Sequence, residues 1–149
     1  MTFVAYDAGV SYHKGYLAQP LYRGFGLGQP GSIDINPTTP EFTAQYAPQS
    51  PVQGMYLDKV GRTSGWTTGT VSRTCVDYTF PSYTILCQDE VGAFADSGDS
   101  GSPVFQWVNQ TNVAFSGILW YATANGGFVF SYVDRIGQDM GYWVNYGPN

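Results

Sequence analysis

From Pro51 onward, short apolar runs alternate with clusters of Gly, Pro, Ser, Thr and Asp at near-regular spacing. That pattern predicts strands over Met55–Val60, Gly65–Cys75, Thr84–Val91, Pro103–Trp107, Ala114–Tyr121 and Gly127–Val133, joined by tight turns. Six such strands imply a closed antiparallel barrel or a sandwich. The stretch "VDRIGQDMGYWVNY" allows one or two helical turns, with Asp134 as the cap. Upstream, "FVAYDAGV" (3–10) reads as a strand with Asp7 near its end, and "SYHKGYLAQP" as a polar turn and a second extended piece. Between Gly24 and Pro51 the chain is dense in Gly, Pro, Thr and Gln. This reads as a connection between two lobes, with short strands at Ser32–Ile35 and Glu41–Ala44. Its Gly-x-Gly-x-Gly is not a dinucleotide fingerprint, because no helical pattern follows the glycines.

Composition agrees with this all-β reading. Nineteen Gly, nine Pro and twelve Tyr in 149 residues favour strands and turns over helices. Apolar residues at 43% against 11% charged ones mark a chain that folds around a core. The net charge of −5, with no basic run, argues against nucleic acid as a partner. No apolar stretch reaches the length of a bilayer span, so no membrane partner is expected.

The two cysteines, Cys75 and Cys87, flank a segment that reads as two strand ends around a Pro-Ser turn. A disulfide across that pair would stabilise the hairpin by about 2–3 kcal/mol; two buried free thiols are the alternative. A metal site is disfavoured for want of further Cys or His ligands, and no cofactor is expected. A disulfide-bearing chain of this composition suggests an extracellular protein, although "MTFVAYDAGV" lacks the features of a secretory signal. "NQT" at 109–111 matches an N-glycosylation acceptor on an expected hairpin turn.

"GDSGSP", Gly98–Pro103, carries the strongest chemical signal. A serine on a tight turn presents its hydroxyl outward. The flanking Gly98 and Gly101 let the backbone come close to a substrate, and the Gly98 and Ser100 N–H groups can point at a developing oxyanion. Asp99 can lock such a loop by turning inward to a cation or to backbone donors. A plain surface turn of Gly, Ser and Asp is the bland alternative.

These residues bear a resemblance. "GDSGSPVF" resembles the nucleophile loop of chymotrypsin-like serine proteases of the bacterial type. "KVGRTSGWTTGTV" (59–71) resembles the strand–turn–strand that opens their second barrel. "FSGILW" (115–120) and "GGFVFSYV" (126–133) are similar to the strands that follow. The resemblance implies a double β-barrel with a short C-terminal helix. Residues 1–50 would be the end of an incomplete first barrel and the connection, and 51–149 the second barrel. It implies endopeptidase chemistry on a peptide or protein substrate, with Ser100 as nucleophile and Gly98 and Ser100 forming the oxyanion hole. "YDAGV" resembles the segment that carries the family's acid, which assigns that role to Asp7. Asp7 stands 93 residues before Ser100, against about 90 in the template.

The same template places the base histidine well ahead of the acid, and only six residues precede Asp7. His13 lies on the other side of Asp7 and reads as a solvated loop residue more than as a surrogate base. The expectation is therefore a serine endopeptidase present as one part, its histidine on a separate chain or segment. An inactive peptide-binding or structural module is the alternative. The pocket base falls on Phe94 and its wall on Trp120 and Tyr121. That set suggests small or apolar side chains, with nearby Asp96 leaving room for another preference.

Overall fold

The computed structural model describes residues 8–10, 14–47 and 49–141. Nine strands and one helix follow in order: β1 (Tyr16–Ala18), β2 (Gly24–Phe25), β3 (Glu41–Tyr46), β4 (Tyr56–Gly61), β5 (Gly65–Phe80), β6 (Tyr83–Val91), β7 (Pro103–Trp107), β8 (Asn112–Ala122), β9 (Phe128–Tyr132) and α1 (Val133–Met140). Neighbour by neighbour, β8, β7, β4, β5, β6 and β9 pair antiparallel, and β9 returns to β8. The six predicted strands thus close into a barrel, which leaves no free edge around the ring. β8 makes closure possible: Val113–Ile118 pair with β7, while Gly117–Ala122 pair with β9.

Apolar side chains fill the barrel because successive residues of a strand point to opposite faces. Leu57, Val71, Val91, Val104, Leu119, Phe128 and Phe130 form its centre, and Val133 of α1 closes one side. A second cluster of Phe42, Ala44, Trp66, Phe105 and Val113 lies where β3 meets the barrel. Phe42 sits edge-on to Trp66, with ring centroids 5.0 Å apart.

The structure corrects several expectations. Not every pairing is antiparallel, since β2 runs parallel to β5 and β3 parallel to β8. Ser32–Ile35 is not a strand; its only ladder contact is an isolated bridge from Ile35 to Pro20, a residue with no N–H to extend it. Asp134 is not the helix cap. Tyr132 occupies that position without a side-chain cap, and Asp134 sits in the first turn, where a carboxylate still favours the helix dipole. Residues 8–10 are turn rather than strand end, and Asp7 and His13 lie outside the described residues. β1 and β3 form a small antiparallel pair hung on the start of β8.

β5 and β6 run past the barrel. Beyond Val71 most of β5 is exposed, and the two strands continue as a hairpin that turns at Pro81 and Ser82. The Cys75–Cys87 disulfide crosses this hairpin. Register shifts flank both cysteines, and each has a positive φ of 53°. Asp89 and Asp77 carboxylates accept the Cys75 and Cys87 N–H groups, respectively, in place of ladder partners.

Candidate active site

The turn at 96–102 is built around Asp99. Its side chain is fully buried, and its two oxygens accept five hydrogen bonds. Oδ1 takes the N–H groups of Thr63 (2.8 Å) and Ser64 (3.1 Å). Oδ2 takes the Lys59 ammonium (3.0 Å), the Ser64 hydroxyl and the Asp96 N–H (3.1 Å). Lys59 is equally buried; it donates also to the Gly65 carbonyl at 3.0 Å and to Ser64 Oγ. Burial alone would raise the Asp99 carboxyl, but the Ser64 hydroxyl, the Lys59 ammonium and the Thr63 N–H outweigh it and hold it below the usual carboxylate value. Burial pushes the Lys59 ammonium down, with Asp99 opposing.

This inward anchor leaves its neighbours outside. Ser100 is exposed, and among the described residues its hydroxyl makes only a long 3.5 Å contact with the Trp120 carbonyl. Gly98 has φ +98° and Gly101 φ +91°, conformations that side chains other than glycine's rarely adopt. A Cβ on Gly98 would also lie 2.5 Å from Thr63 Oγ1, which itself donates to the Ser97 carbonyl. The far end of the turn is stitched to β8 by Gly101 N–H to Leu119 O (2.7 Å) and Leu119 N–H to Ser102 O (3.0 Å). Among the described residues, the Gly98 and Ser100 N–H groups have no hydrogen-bond partner. The result is a rigid turn with an outward hydroxyl beside two uncommitted backbone donors. No imidazole or carboxylate reaches Ser100 Oγ among the described residues, so nothing there activates it.

The pocket residues separate into two groups. Phe94 is tied down through its backbone: its N–H donates to Gly26 O at 2.9 Å and its carbonyl accepts Thr67 Oγ1 at 2.8 Å. Its ring lies beside Gly126, in the turn between β8 and β9. Trp120 turns its indole toward the hairpin, donating to Gln88 Oε1 at 2.8 Å and meeting Tyr78 edge-on at 5.5 Å. Phe80 and Tyr121 complete this aromatic group. The hairpin therefore comes within one residue's width of Ser100, because Trp120 touches the hairpin with its ring and Ser100 with its carbonyl. Asp96 is exposed, and its carboxylate accepts the N–H of Ser97.

Sequence reasoning left the cation opposite Asp99 unnamed and missed Thr63 and Ser64. One signal was available: Lys59 stands inside the strand pattern "YLDKVG", in a chain with only six Lys and Arg. A lysine in that place needs a buried partner. Gly61 fits the same picture, since a Cβ there would lie 2.3 Å from Asp99 Oδ1.

No family model matches the sequence, and no curated protein sequence does. Solved structures do match the fold. A chymotrypsin of Cellulomonas bogoriensis superposes with TM-score 0.58 at 21% identity, over 75% of this chain and 61% of the other. Protease A of Thermobifida fusca gives 0.59 at 19%, over 80% and 69%. A glutamic acid-specific serine protease gives 0.52 at 18%, over 74% and 64%. The chain thus spans just over three fifths of the length of the first and third of these proteins.

Proposed function

We propose, from the premise of a chymotrypsin-like β-barrel fold, that the chain is the nucleophile-bearing part of a serine endopeptidase. The observation that carries this reading is the anchored turn: Asp99 buried against Lys59, Ser100 exposed, and the N–H groups of Gly98 and Ser100 uncommitted. In the reaction, Ser100 Oγ attacks the scissile carbonyl while a histidine accepts its proton. The carbonyl oxygen becomes an oxyanion held by the two N–H groups. Collapse expels the amine, which takes the proton from the imidazolium, and water then releases the acyl group by the same route. The histidine comes from a further segment or a second polypeptide, and Asp7 is the proposed orienting acid. Residues 1–50 would then belong to a first barrel and the connection, and 51–149 to the second barrel.

The proposed substrate is a peptide bond after a small or apolar side chain, with Phe94 at the base of the pocket and the Trp120–Tyr121 edge beside it. Extracellular action accords with the disulfide, and no helix of the described residues is long and apolar enough to cross a membrane. A second reading, a peptide-binding module without turnover, is favoured by the lack of any base at Ser100 Oγ among the described residues. Peptidase assays on the 149-residue chain, alone and with a histidine-bearing partner segment, separate the two. Turnover that appears only with the partner and vanishes in Ser100→Ala supports the peptidase. A properly assembled pair that binds peptide but never cleaves it supports the module.

A further inference from the structure

A cleft of about 630 Å³ opens on the outer face of β4, between β2 and β5 on one side and β7 on the other. Arg23, Phe25, Met55, Tyr56, Asp58, Thr68, Gln106 and Trp107 line it, and it shares no residue with the turn around Ser100. Its size suits a small ligand or one or two peptide residues.

The cleft is organised around Arg23. The guanidinium lies 4.6 Å from the Trp107 ring centroid, 4.9 Å from Phe25 and 5.5 Å from Trp66. One N–H donates to Asp58 Oδ1 at 3.3 Å. Asp58 Oδ1 is shared with the Trp66 indole N–H at 2.8 Å, and the Asp58 side chain is 2% exposed. The Arg23 side chain is 22% exposed, so of the two charged groups in this cleft the guanidinium is the one that reaches solvent. Three rings and an ion pair fix the guanidinium plane, yet the rest of its five N–H donors have no partner among the described residues. The Gln106 amide and the Tyr56 hydroxyl also have none. The remaining lining is Phe25, Met55, Trp107 and the buried Thr68.

We infer that this cleft binds the terminal carboxylate of a peptide ending in an aromatic or large apolar residue. A fixed guanidinium matches the two oxygens of a carboxylate in a fork, which a neutral amide cannot do. The aromatic and thioether walls take the last side chain, and Gln106 and Tyr56 are placed to bond the preceding amide. The cleft is distinct from the proposed reaction site and holds whether or not Ser100 is a nucleophile.

The test is a titration of the isotope-labelled protein, followed by amide NMR, with N-acetyl-phenylalanine, its carboxamide, and N-acetyl-aspartyl-phenylalaninamide. The free acid should shift signals at 55–58 and 106–108 and bind at least about tenfold more tightly than the carboxamide. The third probe, whose only carboxylate is on a side chain, should bind no better than the carboxamide. Arg23→Gln should abolish the preference for the acid. Tyr56→Ala changes a residue that is 63% exposed, so it should fold and weaken binding severalfold; it decides the matter if Arg23→Gln does not fold. Equal affinity for acid and carboxamide overturns the inference. So do tighter binding of the third probe, shifts centred on 94–102, and no shift at all.

Discussion

Asp99 and Lys59 carry opposite charges on side chains that have no exposed surface, and the turn that presents Ser100 is draped over them. Asp99→Ala would leave the Lys59 ammonium without its counter-charge and is expected to lower stability by about 3–5 kcal/mol. The pH dependence has a definite sign. The folded-state value of Asp99 lies below its ordinary 3.8, so its contribution is complete above that value and is lost as pH falls through the folded value. In urea unfolding, the gap between the parent and Asp99→Asn should hold steady between about pH 5 and 7 and shrink below about pH 4. Gly61→Ala is expected to cost about 1–3 kcal/mol, because the new methyl would overlap the Asp99 carboxylate. The turn was legible in the sequence because "GDSGSP" encodes its own backbone: two glycines with positive φ and an acid between them. Lys59 as the partner was not, since it lies 40 residues away and no local pattern specifies that pairing.

At the scale of elements, the β5–β6 hairpin joins fold to site. It leaves the barrel after Val71, is crossed by Cys75–Cys87, and lays Tyr78 and Phe80 on Trp120. Replacing both cysteines with serine should lower stability by about 2–3 kcal/mol, from the entropy of a short closed loop. Hydrogen exchange should then quicken at 75–87 and stay slow in β7 and β8, because the barrel ladder does not depend on the hairpin tip. Elements with a strong alternating or apolar run were readable. Pro103–Trp107 matches β7 at both ends, and Val91 ends β6 as expected. Between Gly24 and Tyr46 the expected strand at Glu41–Ala44 is present as β3, but β2 was missed because it is only two residues long, and both β2 and β3 find parallel partners far along the chain. Periodicity reports which face is buried, not which strand lies alongside.

For the whole molecule, six antiparallel strands close around Phe128, Phe130, Leu57 and Leu119, so the barrel is expected to unfold as one unit. Phe130→Ala, at a fully buried site, should cost about 3–5 kcal/mol and lower the midpoint seen by near- and far-ultraviolet circular dichroism alike. The ring was foreseeable from strand count and spacing; its outer cleft at Arg23 was not, because it assembles from four separate stretches of chain. The barrel's part in the proposed chemistry is to hold one turn rigid while its hydroxyl and two N–H groups face solvent. The most direct measurement is mass-spectrometric mapping of fluorophosphonate adducts on the 149-residue chain, with and without added imidazole as a replacement base. The account expects slow labelling confined to Ser100, accelerated by imidazole and absent in Ser100→Ala. Labelling scattered evenly over surface serines, or a Ser100 that stays unmodified when imidazole is supplied, would contradict it.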